Sequence, residues 1–203
     1  LENVKKGIFG LATKLYGIKF IKNKNIPVYN PEVEAYEVVD EKGKFLSVLY
    51  TDFHPREGKR AGAWMSEFKG QWMDGKKDNR PHITIVMNFT RPTETKPALL
   101  TFDEYTTFLH EFGHALHGML TKCTYESISG TNVYRDFVEL PSQIMENWGP
   151  EKAFLDGFAV HYQTGEKIPA ALIQKIKYAE NFNIANFCLR QLSFGFVDMA
   201  WHS

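Results

Sequence analysis

The residues best suited to chemistry are His110-Glu111-Phe112-Gly113-His114. Two histidines four positions apart on a helix lie on one face, about one turn apart, and can bind one zinc ion. The acid between them then stands beside the metal's open position. With 7 histidines and 24 acidic residues in 203, a chance match has odds on the order of one in a hundred before any helix is required. A catalytic zinc site needs a third protein ligand. His117 shares the helix side, but at about 1.5 Å per residue it lies some 10 Å along the axis from His110. It reads as a packing or supporting residue. The longer HExxHxxGxxH pattern fails, because His117 stands at its Gly position and Leu120 at its last His. The remaining candidates are carboxylates further along: Glu126, Glu139 and Glu146. Glu139 and Glu146 are seven apart and share one helix face, and spacing leaves the choice between them open. Glu139 faces the histidines only if its helix runs antiparallel to theirs, and Pro141 is tolerated only in the first turns of that helix.

These side chains need a helix, and the sequence supplies its signals. Thr101-Phe102-Asp103-Glu104 fits a capping box, so a helix is expected over about 102–120. A second helix is expected over about 136–148, ending near Gly149-Pro150. Two or three more fill 151–202, with Leu172, Ile173, Ile176 and Ala179 on one apolar face. Before them, apolar residues at helical spacing predict a helix over 2–16, weakened by Gly7 and Gly10. Residues 33–53 read as a hairpin turning at Gly43, and 82–89 as a strand; near 82–90 it is either an exposed edge that could pair with an extended peptide or an internal strand of a small mixed sheet. Residues 54–80 read as loop, apart from a strand-like Ala63-Trp64-Met65. The order, small sheet then helices, predicts an α+β fold that is mainly α.

Composition narrows the function. Lys plus Arg and Asp plus Glu are both 24, so the net charge is zero. Nucleic acid and anionic membranes are therefore not expected partners. No apolar run approaches the roughly 18 residues of a spanning helix. With 43% hydrophobic residues, disordered and low-complexity classes are excluded. Cys123 and Cys188 are too few and too far apart for a disulfide framework or a CxxC site, and read as small buried apolar groups. The start at Leu1-Glu2-Asn3 and the stop at Trp201-His202-Ser203, inside a helical pattern, suggest an excised piece.

A wider pattern surrounds the motif. His110–Gly118, Ser129-Gly130-Thr131-Asn132, Arg135-Asp-Phe-Val-Glu-Leu-Pro-Ser-Gln143 and Glu146-Asn-Trp148 resemble the thimet oligopeptidase family of zinc peptidases (M3). Within it, the bacterial peptidyl-dipeptidases are most similar. Gly62–Met65, Pro97–Leu100 and Asp198–His202 extend the likeness over nearly the whole chain. The resemblance implies a zincin-like fold and one Zn2+ held by His110, His114 and Glu139. It implies Glu111 as general base and Glu146 as the acid that orients a ligand histidine. It also implies one partial catalytic domain over 1–203, with a helix and small sheet in 1–100 and the zinc-binding helices in 101–203. Short peptides would be the substrates, cleaved to release C-terminal dipeptides or, alternatively, internally. The intact enzyme would be a cytoplasmic monomer. In the family, Tyr and His residues that stabilise the oxyanion lie beyond the equivalent of Ser203. The 203-residue piece alone would then be an inactive zinc-binding module.

Overall fold

A computed structural model describes residues 1–203. The N-terminal helix α1 (Glu2–Tyr16) forms as the spacing predicts and buries Ile8, Leu11 and Ala12. Its Gly7 has a packing reason. The ring of Phe158 lies 2.3 Å from where a Cβ would stand. The helix stops at Gly17, whose φ of 69° is the left-handed conformation that glycine adopts without strain.

Strands β1 (Lys19–Lys22), β2 (Glu34–Val39), β3 (Phe45–Asp52), β4 (Trp64–Lys69) and β7 (His82–Val86) make one mixed sheet, in the order β1-β2-β3-β7-β4. β2 and β3 are the expected hairpin, closed by Asp40 Oδ1 accepting from the Lys42 and Lys44 amides. β7 runs parallel to β3 and antiparallel to β4. It is therefore an internal strand, buried at Ile83, Ile85 and Val86. Of the two readings of 82–90, the internal strand holds and the exposed edge does not: the edge on this side is β4.

Residues 54–80 are also more regular than their composition suggests. Besides β4 they hold a hairpin, β5 (Trp72–Asp74) and β6 (Lys77–Asn79), turned through Gly75 at φ 58°. The many charged and glycine residues hid short strands whose side chains are only half-buried.

Helix α2 (Phe102–Leu120) carries the motif. Its N-terminus is the predicted capping box, with Thr101 and Glu104 bonding reciprocally. Its apolar face (Phe108, Leu109, Phe112, Ala115, Met119) is buried in one core with α1 and the sheet. The expected second helix is two pieces, α3 (Arg135–Val138) and α4 (Leu140–Glu146). The break follows from Pro141, which has no N–H to give Phe137, so the helix restarts with Glu139 at its N-cap position. Three helices complete the chain: α5 (Lys152–Leu155), α6 (Ala170–Asn181) and α7 (Ile184–His202). On α6 Ile173 is buried and Ile176 half-buried, while Leu172 and Ala179 are exposed, so the predicted apolar face is covered only in part. α7 has no buried residue. The cysteines are not buried either: Cys123 is half-exposed and Cys188 exposed. The fold is α+β with more helix than strand, as expected. No helix is long and apolar enough to cross a membrane.

Candidate metal centre

Two helices build the site, and a glycine lets them meet. A Cβ on Gly113 would stand 2.5 Å from both the Pro141 carbonyl oxygen and Ser142 Cα. With hydrogen there instead, α2 and α4 pack backbone against backbone. Along this contact Gly149 lies by Thr106 and Leu109, Glu146 by His110, and Pro141 by Gly113. The two helices are therefore antiparallel, the arrangement that Glu139 requires.

Glu139 Oε2 lies 3.2 Å from His110 Nε2 and 3.1 Å from His114 Nε2. Zinc held tetrahedrally at about 2.0–2.1 Å sets its ligand atoms about 3.3 Å apart. The donor set fits that ion. The protonation chemistry agrees. Glu146 Oε1 is 2.6 Å from His110 Nδ1; a carboxylate only accepts, so Nδ1 donates to it and Nε2 is the ring atom left for a metal. Burial lowers the pKa of His114 and favours its neutral, ligating form, against the raising influence of Glu139. Burial works to raise Glu139, but the Ser142 hydroxyl, bonded at 2.8 Å, and both histidines outweigh it and hold the carboxyl below its usual range.

Glu111 is buried beside them, and its Oε2 has no hydrogen-bond partner. Burial pushes its carboxyl up to about 7; Glu139 adds to the rise and His110 opposes it. An acid in that range can both take and return a proton near neutrality.

The other candidates separate clearly. Glu126 sits in a 3-10 turn (Glu126–Ile128) against Gly70 and does not join the cluster. His117 also stands apart. Its Nδ1 is buried without a partner, its ring lies edge-on to Phe137 at 6.1 Å, and it lines a cavity with Leu116, Leu140 and Ile144.

The cleft over the cluster has a volume of 410 Å³ and is lined by Ala63, Trp64, Met65, His110, Glu111, His114, Thr131, Val138 and Glu139. A larger, mostly apolar cleft of 720 Å³ lies by the start of α1 and Phe158, away from these groups. Chemistry, not size, marks the site. The role of β4 as its wall was not legible from periodicity. The only sequence signal was the Gly62–Met65 stretch.

A helix-borne histidine pair, a carboxylate from the adjoining helix and a buried acid beside them make this a candidate metal centre of the HExxH class. The chain belongs to peptidase family M3, whose family model matches residues 1–203. Among its relatives, dipeptidyl carboxypeptidase of Escherichia coli is 42% identical over 197 residues, 97% of this chain and 29% of that protein. Oligopeptidase A of the same organism is 42% identical over 200 residues, with 97% and 29% covered. A thimet-like oligopeptidase of Dictyostelium discoideum is 42% identical over 211 residues, 100% of this chain and 31% of that protein. The chain thus spans under a third of the length of these relatives.

Proposed function

We propose that the protein is a zinc-dependent peptidase acting on short peptides. The convergence of His110, His114 and Glu139 around one point in an open cleft, with Glu111 buried beside them, carries this reading. Family membership supports it. His110, His114 and Glu139 hold the ion, and Glu146 fixes the ring of His110 through Nδ1. When bound, zinc supplies Lewis acidity and lowers the pKa of water toward neutrality. Glu111 takes a proton from the attacking water at its carboxylate and returns it to the leaving amine. The start of β4, Trp64 and Met65, borders the cleft on the sheet's open edge, where an extended substrate can add as a further strand.

Release of C-terminal dipeptides is the favoured outcome. A second reading, internal cleavage, is supported by the equal identity to oligopeptidase A. The test uses the full natural protein and one peptide with its C-terminus free or amidated. A peptidyl-dipeptidase frees dipeptides stepwise from the first and leaves the second largely intact. Equal cleavage of both at internal bonds supports the second reading, and cleavage of neither overturns the peptidase proposal.

A further inference from the structure

The segment leading into β4 is irregular and exposed, yet it is held at two points. The first is internal. Asp52, buried at the end of β3, accepts from both terminal nitrogens of Arg56 at 2.8 Å, from Lys59 Nζ at 2.8 Å and from the Tyr29 hydroxyl at 2.9 Å. Lys59 also donates to the His54 carbonyl at 2.8 Å. These bonds fold residues 52–59 onto one carboxylate. The next three residues, Arg60, Ala61 and Gly62, make no backbone–backbone hydrogen bond among the turns and loops. They are tied from outside instead. Asn88 Nδ2 donates to the Arg60 carbonyl at 2.9 Å and to the Gly62 carbonyl at 2.8 Å. An amide nitrogen has two hydrogens, and both are used. Gly62, at φ 95°, then turns the chain into β4.

Asn88 follows β7 by two residues, where Val86 pairs with Trp64 of β4. Its side chain thus continues the β7–β4 contact past the last rung. What it steadies is Ala63 and the start of β4, Trp64 and Met65, which border the site. The metal-ligating side chains come from α2 and the start of α4. Loss of the Asn88 bonds would therefore disturb the peptide-facing wall and leave the ligands in place.

We propose that Asn88 is a positioning residue for peptide binding: by holding the Arg60 and Gly62 carbonyls it fixes the free edge of β4 beside the metal centre. This rests on the peptidase reading above. The test compares the full natural protein with its Asn88→Ala and Asn88→Asp variants; Asp keeps the shape but presents oxygen where the two N–H groups were. We expect KM to rise about tenfold in both, with kcat within about twofold and zinc content unchanged. Unchanged KM, or a joint fall of kcat and zinc content, overturns the proposal. Amide exchange supplies the second arm. The β4 amides that pair with β7 should exchange faster in Asn88→Ala, while the β7 amides that pair with β3 stay protected. If neither variant folds, the wild type still decides: unprotected amides among those that β4 pairs with β7 would show that this edge is not held. Failure of the wild type to cleave any peptide would overturn the peptidase reading, and the exchange arm would then decide the role of Asn88.

Discussion

Glu139 and Glu146 illustrate how one helix face divides two tasks. Their seven-residue spacing puts both toward His110, yet one meets Nε2 and the other Nδ1. The first can share a metal; the second can only set the proton and angle of the ring. Spacing could not separate these roles, because it gives the face and not the depth. The break at Pro141 places Glu139 at the start of α4, within 3.2 Å of both histidine Nε2 atoms, and this supports the proposed assignment. We predict that Glu146→Ala weakens zinc affinity about 10–100-fold and that Glu139→Ala weakens it further. Metal titration of both variants checks the order, and a larger loss from Glu146→Ala would reverse the assignment. The histidine pair itself was legible at once, since four-residue spacing on a well-capped helix admits one geometry.

At the scale of elements, Gly113 is as necessary as the ligands. Any side chain there meets α4 backbone at 2.5 Å, and backbone has no rotamer through which to yield. We predict that Gly113→Ala costs about 1–3 kcal/mol of stability. It also lowers zinc affinity by at least about tenfold, because α4 carries Glu139. Denaturation and metal titration of this variant test both parts, and native zinc affinity would show that the helices need not touch. The capping box, the hairpin and α1 were all readable from local signals. Residues 54–80 were not. β4 pairs with β7 from across the chain, and its half-buried, charge-rich pattern carries no period-two signal strong enough to announce that contact. Pairing with β3 on one side and β4 on the other makes β7 internal, a reading that local pattern left level with an exposed edge.

At the scale of the whole molecule, α1 is tied to the sheet through Glu34. Lys5 reaches this carboxylate at 2.6 Å and Lys22 also pairs with it. Burial acts to raise the pKa of Glu34, but hydrogen bonds from Lys22, Lys5 and Tyr36 outweigh it and bring it down to about 2 from an ordinary 4.5. A depressed folded-state pKa stabilises the fold above the unfolded value and loses that contribution as pH falls through the folded one. Wild type should therefore lose on the order of 2 kcal/mol between about pH 5 and pH 2 that Glu34→Gln does not lose. Urea midpoints across that range test this, and parallel curves would contradict it. Composition and length suggested a chain able to bury its own core, and one core does join α1, the sheet and α2. They did not foretell α7, whose Phe187, Leu192, Phe196 and Trp201 all lie exposed. An apolar helix reads as covered in any sequence pattern, and only the packing shows which surfaces meet.

The most direct test pairs wild type with Glu111→Gln in the full natural protein, measuring zinc content and peptide turnover together. Both should hold one zinc per chain, and turnover should fall by about 10²–10⁴-fold in the variant. Near-wild-type turnover by a zinc-loaded Glu111→Gln protein would contradict the role of Glu111 as the base beside the metal.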